Sequence, residues 1–465
     1  MRRVIAAALS AVVFAAGLSG CSILSSPVEL LKAPAAGSEQ EAILRAVSEL
    51  LPNGAKLTVP LKHGEKIGAI SQADLDGDGV KEAIALYKQE TNQFQLGLLI
   101  LKKQPDGRWT RMAEQVELGS EFDYMDILDL TGTGTRDILV GWSGGKQITK
   151  SLSVYRLQQG QLKLLDSQAY TELAVDQLDA DAIPDIVLFR ADRTKDLPTV
   201  SLYRLQDNRL IAVDSMPLDG LANILVQVQA GKASDTVRGV FVDAQVGAHS
   251  GSTMLLLLDN GRLRLASLTG DQSSPILLNA YTATSRDVDG DGIIEIDLLK
   301  PAPGTDHLSL AAIPWIHEWS KWNPGKGLTP VQENYYDYGS GFGIQLPATW
   351  KGKYTLRKLG DEKEGSLELA YWTDATRLTP ELMTIAWVPK DKWEDRQMAW
   401  SKQKRQVVAL GERADKKFAA LLPPTPDLPE TIKAGYKEMR EETKNPASWF
   451  QFLPAKQTPG KETDK

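Results

Sequence analysis

Two acidic nonapeptides, Asp74-Leu75-Asp76-Gly77-Asp78-Gly79-Val80-Lys81-Glu82 and Asp287-Val288-Asp289-Gly290-Asp291-Gly292-Ile293-Ile294-Glu295, restrict the fold of this chain more than any other feature. Each has carboxylates at positions 1, 3, 5 and 9 and glycine at position 6, where the backbone must turn tightly. Carboxylates this close repel one another without a cation among them. A hard cation such as Ca²⁺ takes about six to eight oxygens at about 2.3–2.6 Å. The expected ligands are the side chains of Asp74, Asp76, Asp78 and Glu82 with the Val80 carbonyl. In the second loop they are Asp287, Asp289, Asp291 and Glu295 with the Ile293 carbonyl. Asp-Gly also marks ordinary surface turns, but two copies with the full spacing favour a ligand set.

The loops are not EF-hands. An EF-hand closes with a bidentate Glu at position 12 and lies between helices. Here position 12 is Ala85 or Leu298, inside short apolar runs that read as buried strands. Weaker copies occur at Asp129–Asp137, where Thr replaces two ligands, and at Gln177–Asp185, which lacks the glycines. Asp129, Asp137, Asp179, Asp181 and Asp185 are therefore weaker metal candidates. A further unit near 228–242 keeps the strands without ligands. The loop starts at 74, 129, 177, roughly 229 and 287 recur about every 50 residues, a period of propellers, solenoids or arrays. Within units, strands pair as hairpins, and Tyr155-Arg156-Leu157 recurs as Tyr203-Arg204-Leu205. Four strands per unit make one propeller blade.

These units resemble the FG-GAP or VCBS repeats of the integrin α-chain N-terminal propeller. The resemblance covers about residues 64–335 and implies a β-propeller with structural Ca²⁺ in loops between the first two strands of some blades. Five repeats are visible, and the segment Ala55–Pro60 is a candidate outer strand for ring closure. The fold expected is mainly β, a propeller over 64–335 followed by a smaller α+β domain over 336–453, with a disordered tail at 454–465.

The first 21 residues read as a secretory signal: Met1-Arg2-Arg3, an apolar run, then Leu18-Ser19-Gly20-Cys21. That tetrapeptide resembles a bacterial lipobox, which implies lipidation of Cys21 and an extracytoplasmic protein anchored to a bacterial membrane. Cys21 is the only cysteine, so no intrachain disulfide forms. A tether and short helix are expected over 22–63.

Nine of eleven tryptophans lie beyond residue 314. Trp315, Trp319 and Trp322 have a helix-like spacing, but the segment before Pro314 looks like the last blade's hairpin, so helix and strand both stay open for them. Beyond a boundary near Tyr335–Gly341, six strands and two helices are expected between 342 and 445.

Signals for catalysis are sparse. Four histidines occur, none in a zincin motif. The Gly141-Trp142-Ser143-Gly144-Gly145 match to a nucleophile elbow lacks the helix that must follow it. No acid/base pair outside the acidic loops stands out. A net charge of −7 without a basic patch argues against nucleic acid as a partner. The expected function is a non-catalytic binding or adhesion-type lipoprotein. It would be tied to the membrane through its lipid and have a protein or glycan ligand. The alternative is an enzyme acting on envelope polysaccharide with the propeller as scaffold.

Overall fold

The computed structural model describes residues 38–89, 94–144, 150–191, 198–218, 224–269, 275–373 and 378–454. The expected signal, the expected lipobox with Cys21, residues 22–37 of the expected tether and residues 455–465 of the expected tail lie outside these. The chain divides into two compact units. One reaches to Ile127 and includes Thr135–Ile148 and Ser153–Leu164; the other comprises Leu128–Gly134, Thr149–Leu152 and everything from Leu165 onward.

Over the described residues the architecture is mainly β, in six sheets of four or five strands whose pairings are almost all antiparallel. It opens with helix α1 (Ser38–Leu50), whose Ile43 and Val47 pack on Ala85, Tyr87 and Leu99. The next strands are β1 (Ala55–Leu57), β2 (Lys62–His63), β3 (Ile70–Ala73), β4 (Glu82–Gln89), β5 (Gln95–Lys103) and β6 (Trp109–Leu118). The first sheet has the order β1-β4-β5-β6, with β3 also on β4. Strands β7 (Glu121–Leu128), β8 (Asp137–Ser143), β9 (Lys150–Gln158) and β10 (Gln161–Tyr170) form the second, with β2 parallel to β7. The third runs β11 (Glu172–Asp176), β12 (Asp185–Arg190), β13 (Thr199–Gln206), β14 (Arg209–Pro217). The fourth is β15 (Ile224–Lys232), β16 (Arg238–Val246), β17 (Ser250–Asp259) and β18 (Arg262–Leu265), with β19 (Ile276–Asn279) on β17.

The fifth sheet joins β20 (Ile296–Pro301), β21 (Trp315–Asn323), β22 (Gly327–Asp337) and β23 (Phe342–Leu346) to the last strand, β29 (Phe450–Phe452). The sixth has the order β24-β25-β26-β28-β27. Its strands are β24 (Tyr354–Gly360), β25 (Gly365–Tyr371), β26 (Glu381–Pro389), β27 (Gln406–Arg413) and β28 (Lys416–Leu422). Helix α2 (Trp393–Lys402) lies between β26 and β27, and α3 (Glu430–Glu442) follows β28.

Burial follows the sequence pattern. The apolar runs of β4, β8 and β12 are buried almost residue by residue, whereas β14 alternates and stays half exposed. Each buried Leu or Ile contributes about 1.5–3 kcal/mol, so these inner strands dominate the cores. Two-residue turns at Gln159-Gly160, Asp207-Asn208 and Asn260-Gly261 have positive φ at both positions, the twist that matches antiparallel strands.

Two expectations change, and one that the sequence left open is decided. Ala55–Leu57 pairs with Tyr87–Gln89 of β4, beside β3, and so completes the first sheet instead of closing the last one. The Trp315–Trp322 segment is a strand. Tyr335–Asp337, expected at a boundary, ends β22 and pairs with Phe342–Ile344 of β23. The sheet continues there because both strands are apolar on the face that joins the Trp350, Trp387 and Phe418 core.

Candidate active site

The two full loops fold alike. Asp74 accepts the Gly77 N–H (2.8 Å) and the Gly79 N–H (3.0 Å) on its two oxygens. Asp76 Oδ1 accepts the Asp78 N–H, Asp78 Oδ1 the Val80 N–H, and Glu82 Oε2 the Leu75 N–H. Asp287, Asp289, Asp291 and Glu295 repeat the pattern toward Gly290, Gly292, Asp291, Ile293 and Val288. Gly79 and Gly292 both have φ of +84°, which explains glycine at position 6.

This leaves three oxygens per loop that the backbone does not use: Asp76 Oδ2, Asp78 Oδ2 and Glu82 Oε1, and likewise Asp289 Oδ2, Asp291 Oδ2 and Glu295 Oε1. The acids do converge. Each triad, however, surrounds a lysine. Lys102 Nζ pairs with Asp76, with Asp78 at 2.6 Å and with Glu82 at 3.6 Å. Lys321 Nζ pairs with Asp291, with Asp289 at 2.8 Å and with Glu295 at 3.6 Å. Hydrogen bonds to Asp76 and Asp78 raise the Lys102 pKa. Burial works against the charge of Lys321, but bonds to Asp289 and Asp291 outweigh it. Asp78 and Asp291 are held below the usual carboxylate range by these lysines, while burial raises Glu82 and Glu295. As folded, the donor set does not fit a divalent ion, because an ammonium already stands among its free oxygens and like charges repel.

The weaker loops use arginine. Arg156 makes a bidentate pair with Asp137, Nε to Oδ1 at 2.6 Å and Nη2 to Oδ2 at 2.8 Å. Arg204 meets Asp179 at 3.3 Å, Asp181 at 3.0 Å and Asp185 at 2.5 Å, the last an ion pair not aligned as a hydrogen bond. Asp129 turns inward on its own loop, accepting the Thr131, Thr133 and Gly134 N–H groups.

A different group of residues forms the site with catalytic character. On β21, Trp315, His317 and Trp319 alternate, so all three face one side. They line a cavity of about 440 Å³ together with Arg286, Asp297 and Tyr338, a size usual for small-molecule sites (about 300–1,000 Å³). Leu299 of β20 is directly opposite His317, which makes Asp297 its diagonal neighbour across the strand pair. His317 Nδ1 lies 2.6 Å from Asp297 Oδ2, with both residues buried. An ionised carboxylate only accepts, so beside it Nδ1 carries a proton, and in the neutral imidazole Nε2 keeps its lone pair. The imidazole makes no other hydrogen bond among the described residues.

The surroundings hold this pair in place. Asn279 donates to the Asp297 carbonyl (2.8 Å) and accepts the Leu299 N–H (2.9 Å), fixing β20. The Tyr336 ring meets the imidazole edge-on at 4.7 Å between centroids. Arg286 stacks over Trp319 at 4.7 Å and donates to Tyr336 Oη at 3.0 Å. Paired hydrogen bonds between Arg286 and Glu295 close the base of the second acidic loop, so that loop sets where Arg286 leaves the backbone. Asp243, pushed up to about 6 by burial, accepts from the Ser285 N–H and both the Ser285 and Thr253 hydroxyls. Gly251 lets the Tyr281–Thr282 backbone approach closely, since a Cβ there would lie 2.7 Å from Thr282 Cα. Tyr338 is 59% exposed at the cavity's edge.

A larger groove of about 650 Å³ beside β25 and α2 is an ion-pair surface. Glu364 takes Lys392 at 2.8 Å and Arg396 at 2.5 Å, and Glu381 takes Arg405 at 2.5 Å. Glu364, Lys392, Arg396 and Arg405 of its wall are thus held in ion pairs. Ser143, of the apparent nucleophile elbow, ends β8 as a buried strand residue.

The sequence reading did not find the His317–Asp297 pair. Its partners come from two strands separated by a loop, and the helix-like count of tryptophans hid the alternation Trp315-x-His317-x-Trp319.

No protein-family model matches the chain, and no curated protein matches it. Among solved structures, it aligns with the rhamnogalacturonan lyase YesW at 11% identity over 66% of this chain and 70% of that one, with a TM-score of 0.27. A Bacillus licheniformis rhamnogalacturonan lyase aligns at 12% identity over 71% and 76%, TM-score 0.27. A Lactobacillus plantarum protein aligns at 9% identity over 72% and 86%, TM-score 0.29. At these scores no residue of this chain is matched to a residue of theirs. The expectation of a non-catalytic binding protein is nevertheless corrected. The acid/base pair judged missing from the sequence is present at His317 and Asp297.

Proposed function

We propose that this chain is an extracytoplasmic, lipid-anchored protein of the FG-GAP/VCBS propeller type that acts on an envelope polysaccharide at the His317 cavity. The observation that carries the reading is the 2.6 Å His317–Asp297 contact inside an aromatic-walled cavity. An imidazole held by a buried carboxylate is suited to move a proton at its other nitrogen. Aromatic faces such as Tyr338 suit the C–H face of a sugar ring, since their π-clouds are electron-rich. Arg286 adds a fixed positive charge, which favours a sugar bearing a carboxylate. The propeller reading draws on the antiparallel sheets, four of which have a strand that starts directly after one of the acidic loops.

The test is a panel of neutral and uronate-containing polysaccharides incubated with the full chain. Depolymerisation is followed by reducing ends and by ultraviolet absorbance of unsaturated products. We expect cleavage of an acidic polymer. A chain that cleaves no member of a broad panel would sink the proposal. The anchor is tested separately. Cys21→Ser should move the protein from the membrane fraction to the soluble fraction and abolish incorporation of labelled fatty acid. Retention in the membrane would refute the anchor.

A further inference from the structure

The basic residues that enter the four acidic loops all come from one structural place. In the first sheet Ala83 pairs with Leu101, which sets Glu82 across from Lys102. In the third Ile186 pairs with Tyr203, which sets Asp185 across from Arg204. In the fifth Ile296 pairs with Ser320, which sets Glu295 across from Lys321. Arg156 reaches Asp137 from β9 in the same manner. Each acid is the loop's ninth residue, and it is fully buried in all four cases. Glu82 Oε1 and Glu295 Oε1 have no hydrogen-bond partner, and both face the lysine at 3.6 Å.

The fourth sheet supplies the control. Its β16 opens with Arg238 where the others have the buried acid, and Val240 pairs with Leu256, which sets Leu258 across from Arg238. The acid and the base are lost together. If the acids served a metal, nothing would tie the base's presence to theirs. If the base is the counter-ion, the two must be kept or lost as a pair.

We propose that the cation of these loops is the chain's own lysine or arginine, carried on the strand next to the loop's exit strand, and that the loops are closed to divalent metal in the native protein. The lysine does for the loop what a calcium ion does elsewhere. It gathers the free oxygens at positions 3, 5 and 9 and neutralises them. It comes with the fold, so the loops close whatever the surrounding calcium concentration.

Removing the lysine should uncover the site. The full chain and its Lys102→Met, Lys321→Met and double variants are titrated with Ca²⁺ by calorimetry and with Tb³⁺ by luminescence. The wild type should take up no stoichiometric calcium, and its melting temperature should be the same in calcium and in chelator. Each single variant should gain one site, and the double variant two, with dissociation constants of about 10⁻⁴–10⁻³ M, the weak extracellular range. Each variant should melt below the wild type in chelator and recover on adding calcium, while Lys321→Arg should stay calcium-blind and stable. Stoichiometric calcium uptake by the wild type overturns the proposal, and that arm holds even if a methionine variant fails to fold. Variants that melt with the wild type in chelator and gain no calcium also overturn it.

Discussion

Arg204→Met is expected to destabilise the second unit by about 3–5 kcal/mol at neutral pH, the cost of leaving a buried charge without its partner. Asp185 is fully buried, and Arg204 is the cation it faces, at 2.5 Å. The guanidinium also neutralises Asp179 and Asp181, so three acids lose their counter-charge at once. The effect depends on pH in a defined direction. Burial pushes the Asp185 carboxyl up to about 6, with Arg204 pulling the other way. Between its ordinary value of 3.8 and about 6, the folded chain holds this proton and the unfolded chain does not. Stability therefore falls as pH rises through that window. Without Arg204 the folded value climbs further, so the variant should lose stability more steeply and over a wider range. At pH about 4 it should melt close to the wild type, and at neutral pH of the order of 10 °C lower. Adding Asp185→Asn should restore part of the difference. Parallel melting curves for wild type and variant across pH would show that the pair is not a counter-ion device.

What the sequence revealed and what it hid have a common physical basis. The acidic loops were legible because turn and charge are local: glycine at a left-handed position and carboxylates at fixed offsets can be counted along the chain. The inner strands were legible because burial on both faces demands an unbroken apolar run, as in Ile138–Trp142 or Ile186–Phe189. The counter-ions were not. Lys102 and Lys321 reach their acids through strand pairing, and sequence distance conceals that. The repeated Tyr-Arg-Leu triplet marked the repeat, but nothing local in it ties Arg156 to Asp137 or Arg204 to Asp185. The position of Ala182 in the third loop is a related case. It adopts φ of 61° where the full loops have glycine, at a cost of about 1–2 kcal/mol, and Arg204 helps to hold the loop in that shape by binding its acids.

His317→Gln should reduce polysaccharide cleavage by about 10²–10⁴-fold, the usual contribution of a positioned acid or base. Glutamine keeps the size and a hydrogen-bonding group beside Asp297 but cannot exchange a proton near neutral pH. The fold should tolerate it, because the cavity wall is set by Asn279, Asp243 and Gly251, none of which depends on the imidazole. A melting temperature within about 2–4 °C of the wild type, roughly a 1 kcal/mol effect, would place the loss in chemistry. Asp297 acts through His317 and is a positioning residue. Asp297→Asn should lower kcat with little change in KM, since it fixes the ring without meeting the sugar. Tyr338→Ala should do the opposite, raising KM through loss of an exposed stacking face while kcat stays near the wild type. A merely structural His317–Asp297 pair would give a common fall in melting temperature and no such split. Undiminished cleavage by His317→Gln would move the reaction away from this cavity altogether.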